Sequence, residues 1–308
     1  MTVPSGDECR PIPAGEGSAK NSRFDTARET VDLREMVAFI DGQRENSATL
    51  EFAGMLAEEH DAHLIGVFMQ PQPTVTPEET FARGTGMREV NETHQGQLEN
   101  IEANQRAVFD EVTRRHGIAS EWRCSPHFNT DVAVHTHYAD LAVVARPDPT
   151  GQTAGPPQLV ESLVLTSGRP IITLPPSGIA LRARRILVGW NASREAVRAV
   201  ADSLPLIVRA EAVEVLIVDH RLNSARYGQE PGADIARHLA RHGAKVHVRK
   251  LSSGGRDVGR VLLSQAAAFG ADLVVMGAYG HSRLRDWVFG GVTRTVLREA
   301  AVPVLMSR

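Results

Sequence analysis

The chain has 308 residues, 42% hydrophobic and 23% charged, so it can bury a substantial core and is not globally disordered. With 34 basic against 37 acidic residues its formal charge is −3, which argues against nucleic-acid binding through a broad basic face. Apolar runs such as Ala62–Met69 fall far short of the roughly 20 residues that cross a bilayer. The N-terminus shows no charged-then-apolar leader pattern, and Cys9 and Cys124 are too few for a disulfide framework, so a cytoplasmic protein with no membrane or nucleic-acid partner is expected.

Residues 1–33, rich in Gly, Pro, Ser and charge, read as a flexible tail. Apolar runs then predict strands at Met36–Ile40, His63–Met69, Glu121–Cys124, Leu141–Ala145 and Pro170–Leu174. Leu98, Ile101, Val108 and Val112 mark a long helix, and Pro71–Met87, with its prolines, reads as an irregular excursion. The stretch Asn129–Tyr138 leaves room only for a short helix. A proline-rich segment around Pro175–Arg182 suggests a linker, so that 34–175 and 184–308 form two domains joined through 176–183.

In the second half, strands are expected at Ile186–Trp190, Val213–Asp219, Lys245–Leu251, Asp272–Met276 and Val302–Ser307. Between them lie a helix with Val197, Val200, Leu204 and Val208 on one face and Pro205 as a kink or break, a helix over Asp234–His242 ending at Gly243, and a helix over Asp257–Phe269. The halves repeat each other. Met36–Asp41 lines up with Ile186–Asn191, Tyr138–Ala145 with Gly270–Gly277, and Arg169–Leu174 with Val302–Ser307. Strands alternating with helices imply parallel sheets covered on both faces, with ligands beyond the strands' C-terminal ends.

The most distinctive stretch is Gly277-x2-Gly280-x9-Gly290, followed by Gly291-Val292-Thr293 and a helical pattern. Glycines let backbone N–H groups approach a ligand, and a helix start offers unpaired donors and a positive dipole end. Together with the preceding Ala-Asp-Leu strand and the closing Val-Pro-Val-Leu strand, this pattern resembles the universal stress protein family in a tandem two-domain form. The resemblance implies two tandem open, doubly wound five-stranded parallel sheets of strand order 3-2-1-4-5, a Rossmann-like fold of the adenine nucleotide alpha hydrolase kind. It implies a stress-response role, and ATP, with Mg2+ accompanying it, as a ligand of the second domain. It also implies association through the closing strands, as a homodimer or an intramolecular pseudo-dimer.

Carried over by position, the resemblance assigns Gly277, Gly280, Gly290, Gly291, Val292 and Thr293 to the phosphates. It assigns Asn191 and the main chain of Val218, or its neighbour Asp219, to the base. Two positions depart from the family pattern: Gly291 stands where a Ser or Thr hydroxyl is usual, and Asn191 where an aspartate is usual. In the first half Asp41 keeps that aspartate, but Arg146–Pro157 replaces the glycine loop with prolines, and this domain reads as degenerate. Arg283, Arg285 and Arg294 could meet phosphate or be a solvated face. Ser253-Gly-Gly-Arg-Asp257 resembles the opening of an ATP-pyrophosphatase loop but follows the wrong strand, and reads as a helix start. His116, His127, His135 and His137 fit no metal spacing, and no catalytic constellation appears. The expected protein is therefore a regulatory nucleotide binder with no catalytic or metal-ligating residues. The competing readings are an interaction scaffold without nucleotide, a weak ATPase, and a carrier of another small ligand.

Overall fold

The computed structural model describes residues 32–42, 46–71, 85–125, 132–146, 159–176, 183–220, 230–280 and 291–308. The tail, most of the excursion after the second strand, residues 147–158 and 281–290, and most of the expected linker lie outside the described residues.

The first half runs β1 (Glu35–Asp41), α1 (Ser47–His60), β2 (His63–Met69), α2 (Thr85–His116), β3 (Ser120–Ser125), a 3-10 turn (Val132–Thr136), β4 (Leu141–Ala145), α3 (Leu159–Thr166) and β5 (Ile171–Leu174). The second runs β6 (Arg185–Gly189), α4 (Arg194–Ile207), β7 (Ala212–Val218), α5 (Ala233–Arg241), β8 (Val246–Leu251), α6 (Val258–Phe269), β9 (Leu273–Gly277), α7 (Gly291–Glu299) and β10 (Val304–Ser307). The expected strands are present, and each half has the expected order. The two sheets are continuous, in the order β3-β2-β1-β4-β5-β10-β9-β6-β7-β8. Pairing is parallel within each half and antiparallel where β5 meets β10, with Leu305 opposite Ile172. Each closing strand therefore has a partner on both sides.

The central strands are runs of apolar residues because both of their faces are covered. Leu50, Phe52 and Phe109 from α1 and α2, with Val200 and Ile207 from α4, pack on one face. Val160 and Leu163 from α3, Leu262 from α6 and Val296 from α7 pack on the other. The repeated Ala-Asp-Leu has a concrete job. Asp140 Oδ2 accepts the N–H groups of Arg34 and Glu35 at 2.7 and 3.1 Å, and Asp272 accepts those of Arg184 and Arg185 at 2.8 Å each. In both halves the aspartate satisfies donors at the start of the neighbouring strand.

One sequence expectation is corrected. Helix α4 does not turn Val197 inward; that residue is 54% exposed, and the buried face carries Ala196, Ala199, Val200, Ser203, Leu206 and Ile207. Small side chains let α4 lie close to β9 and β10, and this rotates the contact face by one residue from the valine pattern. Pro205 sits in the last turn, so the helix ends soon after it without a mid-helix break.

The seam between the halves is held by two arginines. Arg146, at the end of β4 and 2% exposed, reaches across to α7. Its Nη1 donates to the carbonyls of Val296 at 3.1 Å and Leu297 at 2.9 Å, its Nη2 to Ala300, and its Nε to Leu174 at 3.3 Å. It thus adds charged donors to the C-terminal carbonyls of a helix in the other half, of which Val296 O also accepts the Ala300 N–H at 2.9 Å. Burial pushes its pKa down to about 10, which leaves it charged at neutral pH. Arg209, just past α4, donates to Glu59 O at 3.1 Å and to Asp32 Oδ1 at 2.6 Å. Beside them His60 is buried, and neither ring nitrogen has a hydrogen-bond partner among the described residues.

Replacing Arg146 by Met is expected to lower the unfolding free energy by about 3 kcal/mol, because the Val296, Leu297 and Ala300 carbonyls lose a charged donor. Urea unfolding measures this, and a change under 1 kcal/mol, roughly one net hydrogen bond, would contradict the capping role. The seam also predicts acid sensitivity. Burial, reinforced by Arg209, pushes the His60 pKa down from 6.5 to about 4. The unfolded chain then takes up a proton below pH 6.5 that the folded chain refuses until about pH 4. Stability should fall across that window by up to about 3 kcal/mol. Melting curves from pH 7 to 4 should show the loss, and His60→Gln should flatten it.

Candidate functional site

Strand order reverses between β6 and β9, and a cavity of about 320 Å³ lies beyond the C-terminal ends of these strands and β7. Trp190 and Asn191 come from the end of β6, Leu216 and Val218 from β7, and Met276, Gly277, Tyr279 and Gly280 from β9 and its following turn. Val258 and Leu262 from α6, Ser193 from the start of α4, and Gly291, Val292 and Thr293 from the first turn of α7 complete the lining. Asn191, Val218, Gly277, Gly280, Gly291, Val292 and Thr293, separated by up to a hundred residues in the chain, are therefore brought together. Gly290 lies outside the described residues, as do Arg283 and Arg285.

The glycines have distinct reasons to be there. A Cβ on Gly277 would stand 2.5 Å from the backbone of Glu195 and Ala196, so this glycine lets the first turn of α4 touch the end of β9. A Cβ on Gly280 would meet side chains alone, the Glu195 carboxylate at 2.7 Å and the Ser193 hydroxyl at 3.5 Å. At Gly291 a Cβ would meet nothing within 4 Å among the described residues, so their packing does not require a glycine there.

The turns are tied together by polar contacts. Ser193 caps α4, its hydroxyl accepting the Ala196 N–H at 3.2 Å. Asn191 Oδ1 accepts the Ser193 N–H at 3.1 Å, which orients the amide; its Nδ2 donors and one further lone pair of the oxygen are its remaining hydrogen-bonding capacity. The Tyr279 N–H points to Thr293 Oγ1 at 3.5 Å, linking the turn after β9 to α7. Asp219 does not line the cavity; its N–H donates to Leu251 O at 2.9 Å and its Oδ1 accepts the Ser253 N–H at 2.8 Å. Of Val218 and Asp219, Val218 is the one that lines the cavity.

Glu195 is buried at the edge of this site. Burial raises its pKa, but its own backbone N–H, the Ser193 hydroxyl and Arg194 outweigh that and hold it below the usual carboxylate range. It remains a negative charge beside Gly280. Tyr279 sits in the opposite condition: burial pushes its phenol well up, with Glu161 adding to the effect and Arg308 opposing it.

Sequence reasoning missed Trp190, Ser193, Leu216, Val258, Leu262, Met276 and Tyr279 as lining residues, and Glu195 as their charged neighbour. The available signal was positional: all stand at strand ends or in the first turns of helices facing the switch point. The Ser253–Asp257 segment is a helix start, with Asp257 as the cap accepting the Arg260 N–H at 2.9 Å. Among the described residues no cluster of His, Cys, Asp or Glu could hold a metal ion; His127 lies outside them. His116 sits instead against Glu58 at 2.6 Å and Glu51 at 3.1 Å.

Fold and cavity define a doubly wound α/β protein with a glycine turn at its switch point. Residues 182–308 match the sequence model of the universal stress protein family. A universal stress protein from Archaeoglobus fulgidus DSM 4304 has a similar structure, with a TM-score of 0.62 over 88% of this chain and 98% of that one, at 13% identity. A universal stress protein solved in complex with cAMP aligns with 41% of this chain and 97% of its own, at 21% identity and a TM-score of 0.32. A universal stress protein of Synechocystis is 54% identical over 37 residues, which are 12% of this chain and 13% of that protein. The second half of the chain is therefore similar to the universal stress protein family, and the fold is one that a universal stress protein also has.

The packing of the two glycines predicts different tolerance. Gly277→Ala should cost about 2 kcal/mol or more, since backbone must move, whereas Gly280→Ala should cost under about 1 kcal/mol because a carboxylate can swing away. Thermal melts of the two variants compare them directly, and equal losses would disprove the assignment of Gly277 to helix packing.

Proposed function

We propose that the second half, 184–308, binds ATP or a related adenine nucleotide as a regulatory ligand in a stress response, while the first half, 34–175, acts as its structural partner. The match of residues 182–308 to the universal stress protein family supports the stress-response role. The nucleotide reading is carried by one observation: the same cavity joins an apolar slot between Trp190, Leu216, Val218 and Leu262 to the open first turn of α7. The slot suits a planar base, with the Asn191 amide at its rim. The N–H groups of Gly291, Val292 and Thr293 have no acceptor within their helix and face the positive end of its dipole. The Glu195 carboxylate beside Gly280 repels phosphate, so the phosphates run toward α7 and away from α4. Mg2+ would accompany the phosphates. No phosphoryl transfer is part of this reading.

A thermal-shift titration with ATP, with and without Mg2+, and with cAMP tests it. Millimolar ATP should raise the melting temperature by a few degrees, as mass action requires for a ligand held at roughly 0.1 mM or tighter. Gly291→Asp should fold well, since an acid suits a helix start, yet lose the shift through repulsion. Gly291→Ser, for which there is space, should tighten binding about two- to tenfold through one added hydrogen bond. Asp41→Ala in the first half should keep the shift. Absence of any shift, or a shift indifferent to Gly291→Asp, would sink the proposal.

A further inference from the structure

A second cleft, of about 480 Å³, opens at the seam where β10 ends and β5 begins. The repeat relates the two ends of the seam. The Arg146 N–H donates to Leu174 O at 2.9 Å, and the Ala278 N–H donates to Ser307 O at 2.9 Å, so Ala278 is the counterpart of Arg146 in the second half. Likewise the Ser167 N–H donates to Leu163 O and the Ala300 N–H to Val296 O, so Leu163, Val164 and Ser167 at the end of α3 are the counterparts of Val296, Leu297 and Ala300 at the end of α7. At one end of the seam the long Arg146 side chain fills the space against its three partners. At the other end the counterpart is a buried alanine, and Val164, Leu165 and Gly168 at the end of α3 line the cleft.

The charge of that cleft is unlike that of a spare packing defect. Arg169, Arg194, Arg198 and Arg308 line it against one carboxylate, Asp202. Arg198 is paired with Asp202 at 2.9 Å and Arg194 with Glu195 at 3.3 Å, so neutralisation is partial. Ser307, on the lining, is buried and its hydroxyl has no hydrogen-bond partner among the described residues. Several guanidinium forks around one cavity match the planar, multidentate geometry of an oxyanion. Leu165, 37% exposed, adds an apolar wall.

We propose that this cleft is a second ligand site, separate from the glycine-turn cavity, which takes a phosphate-type oxyanion carried on a small molecule or on a peptide. Arg169, Arg198 and Arg308 supply the charge-assisted bonds. Binding there would bridge α3 of the first half and α4 of the second.

The test is calorimetric titration of the full chain with inorganic pyrophosphate and with a phosphoserine peptide, at low and at physiological salt. Binding of either should weaken with added salt. It should fall at least about tenfold in an Arg198→Gln/Arg308→Ala variant, and equally in Leu165→Glu, which folds because its side chain is exposed but brings a repelling charge to the wall. Gly291→Asp should leave this binding unchanged. The tighter of the two probes identifies the source of the phosphate. Binding of neither probe overturns the proposal, as does pyrophosphate binding that survives both cleft variants within twofold or that is lost only in Gly291→Asp. Loss of the ATP response with retained cleft binding would remove the nucleotide reading and leave this one standing.

Discussion

The antiparallel contact of β5 with β10 is the constraint on which the rest depends. Each half alone would end in a short apolar strand whose outer backbone groups have no partner, the kind of edge that invites association. Joining the edges inside one chain satisfies both and leaves β3 and β8 as the outer strands. Those strands read Ser-Glu-Trp-Arg-Cys-Ser and Val-His-Val-Arg-Lys-Leu, with charges that blunt further pairing. The same contact brings the end of β4 against the end of α7. A cationic side chain at position 146 then becomes the natural cap for a helix that begins, at its other end, in the glycine-turn cavity.

Two kinds of repetition are visible across the seam. Asp140 and Asp272 do the same work in each half, because any parallel sheet of this order leaves the same donors exposed at the start of its first strand. Arg146 and Ala278 differ at equivalent points. One reaches across the seam to α7, and the other is a buried alanine with no such reach. Identity between the halves thus marks what the architecture needs, and divergence marks where the halves have taken separate roles.

The fold was legible because its central strands are continuous apolar runs, a pattern set by burial on both faces and independent of distant partners. The repeat and the position of the glycine turn were legible for the same local reason. The facing side of α4 was not, since Val197 is more apolar than the small residues that allow close approach to the sheet. Gly277 was read as a backbone donor for an anion, although its nearest obligation is steric contact with Glu195 and Ala196. Arg146 was read as the first residue of a rebuilt loop; its partners lie some 150 positions away, and no local pattern announces a contact of that range. His60 escaped notice because its burial depends on Arg209 and Asp32 from the two sides of the seam.

Three of the five non-glycine residues with left-handed backbone among the described residues lie around the glycine-turn cavity. Ala192, Asp219 and Tyr279 all adopt left-handed backbone, with φ of 53°, 53° and 59°. None is a glycine, and each costs on the order of 1 kcal/mol that glycine would avoid. They follow β6, β7 and β9, the three strands whose ends form the cavity. At Asp219 the carboxylate repays part of the cost by holding Ser253, and at Tyr279 the backbone N–H is directed to Thr293. At Ala192 the described residues show no such return. A chain whose whole stability is on the order of 10 kcal/mol keeps such conformations where the shape of the turn matters more than its stability. Here that shape aims the ends of three strands at one space between a base-sized apolar slot and the start of a helix.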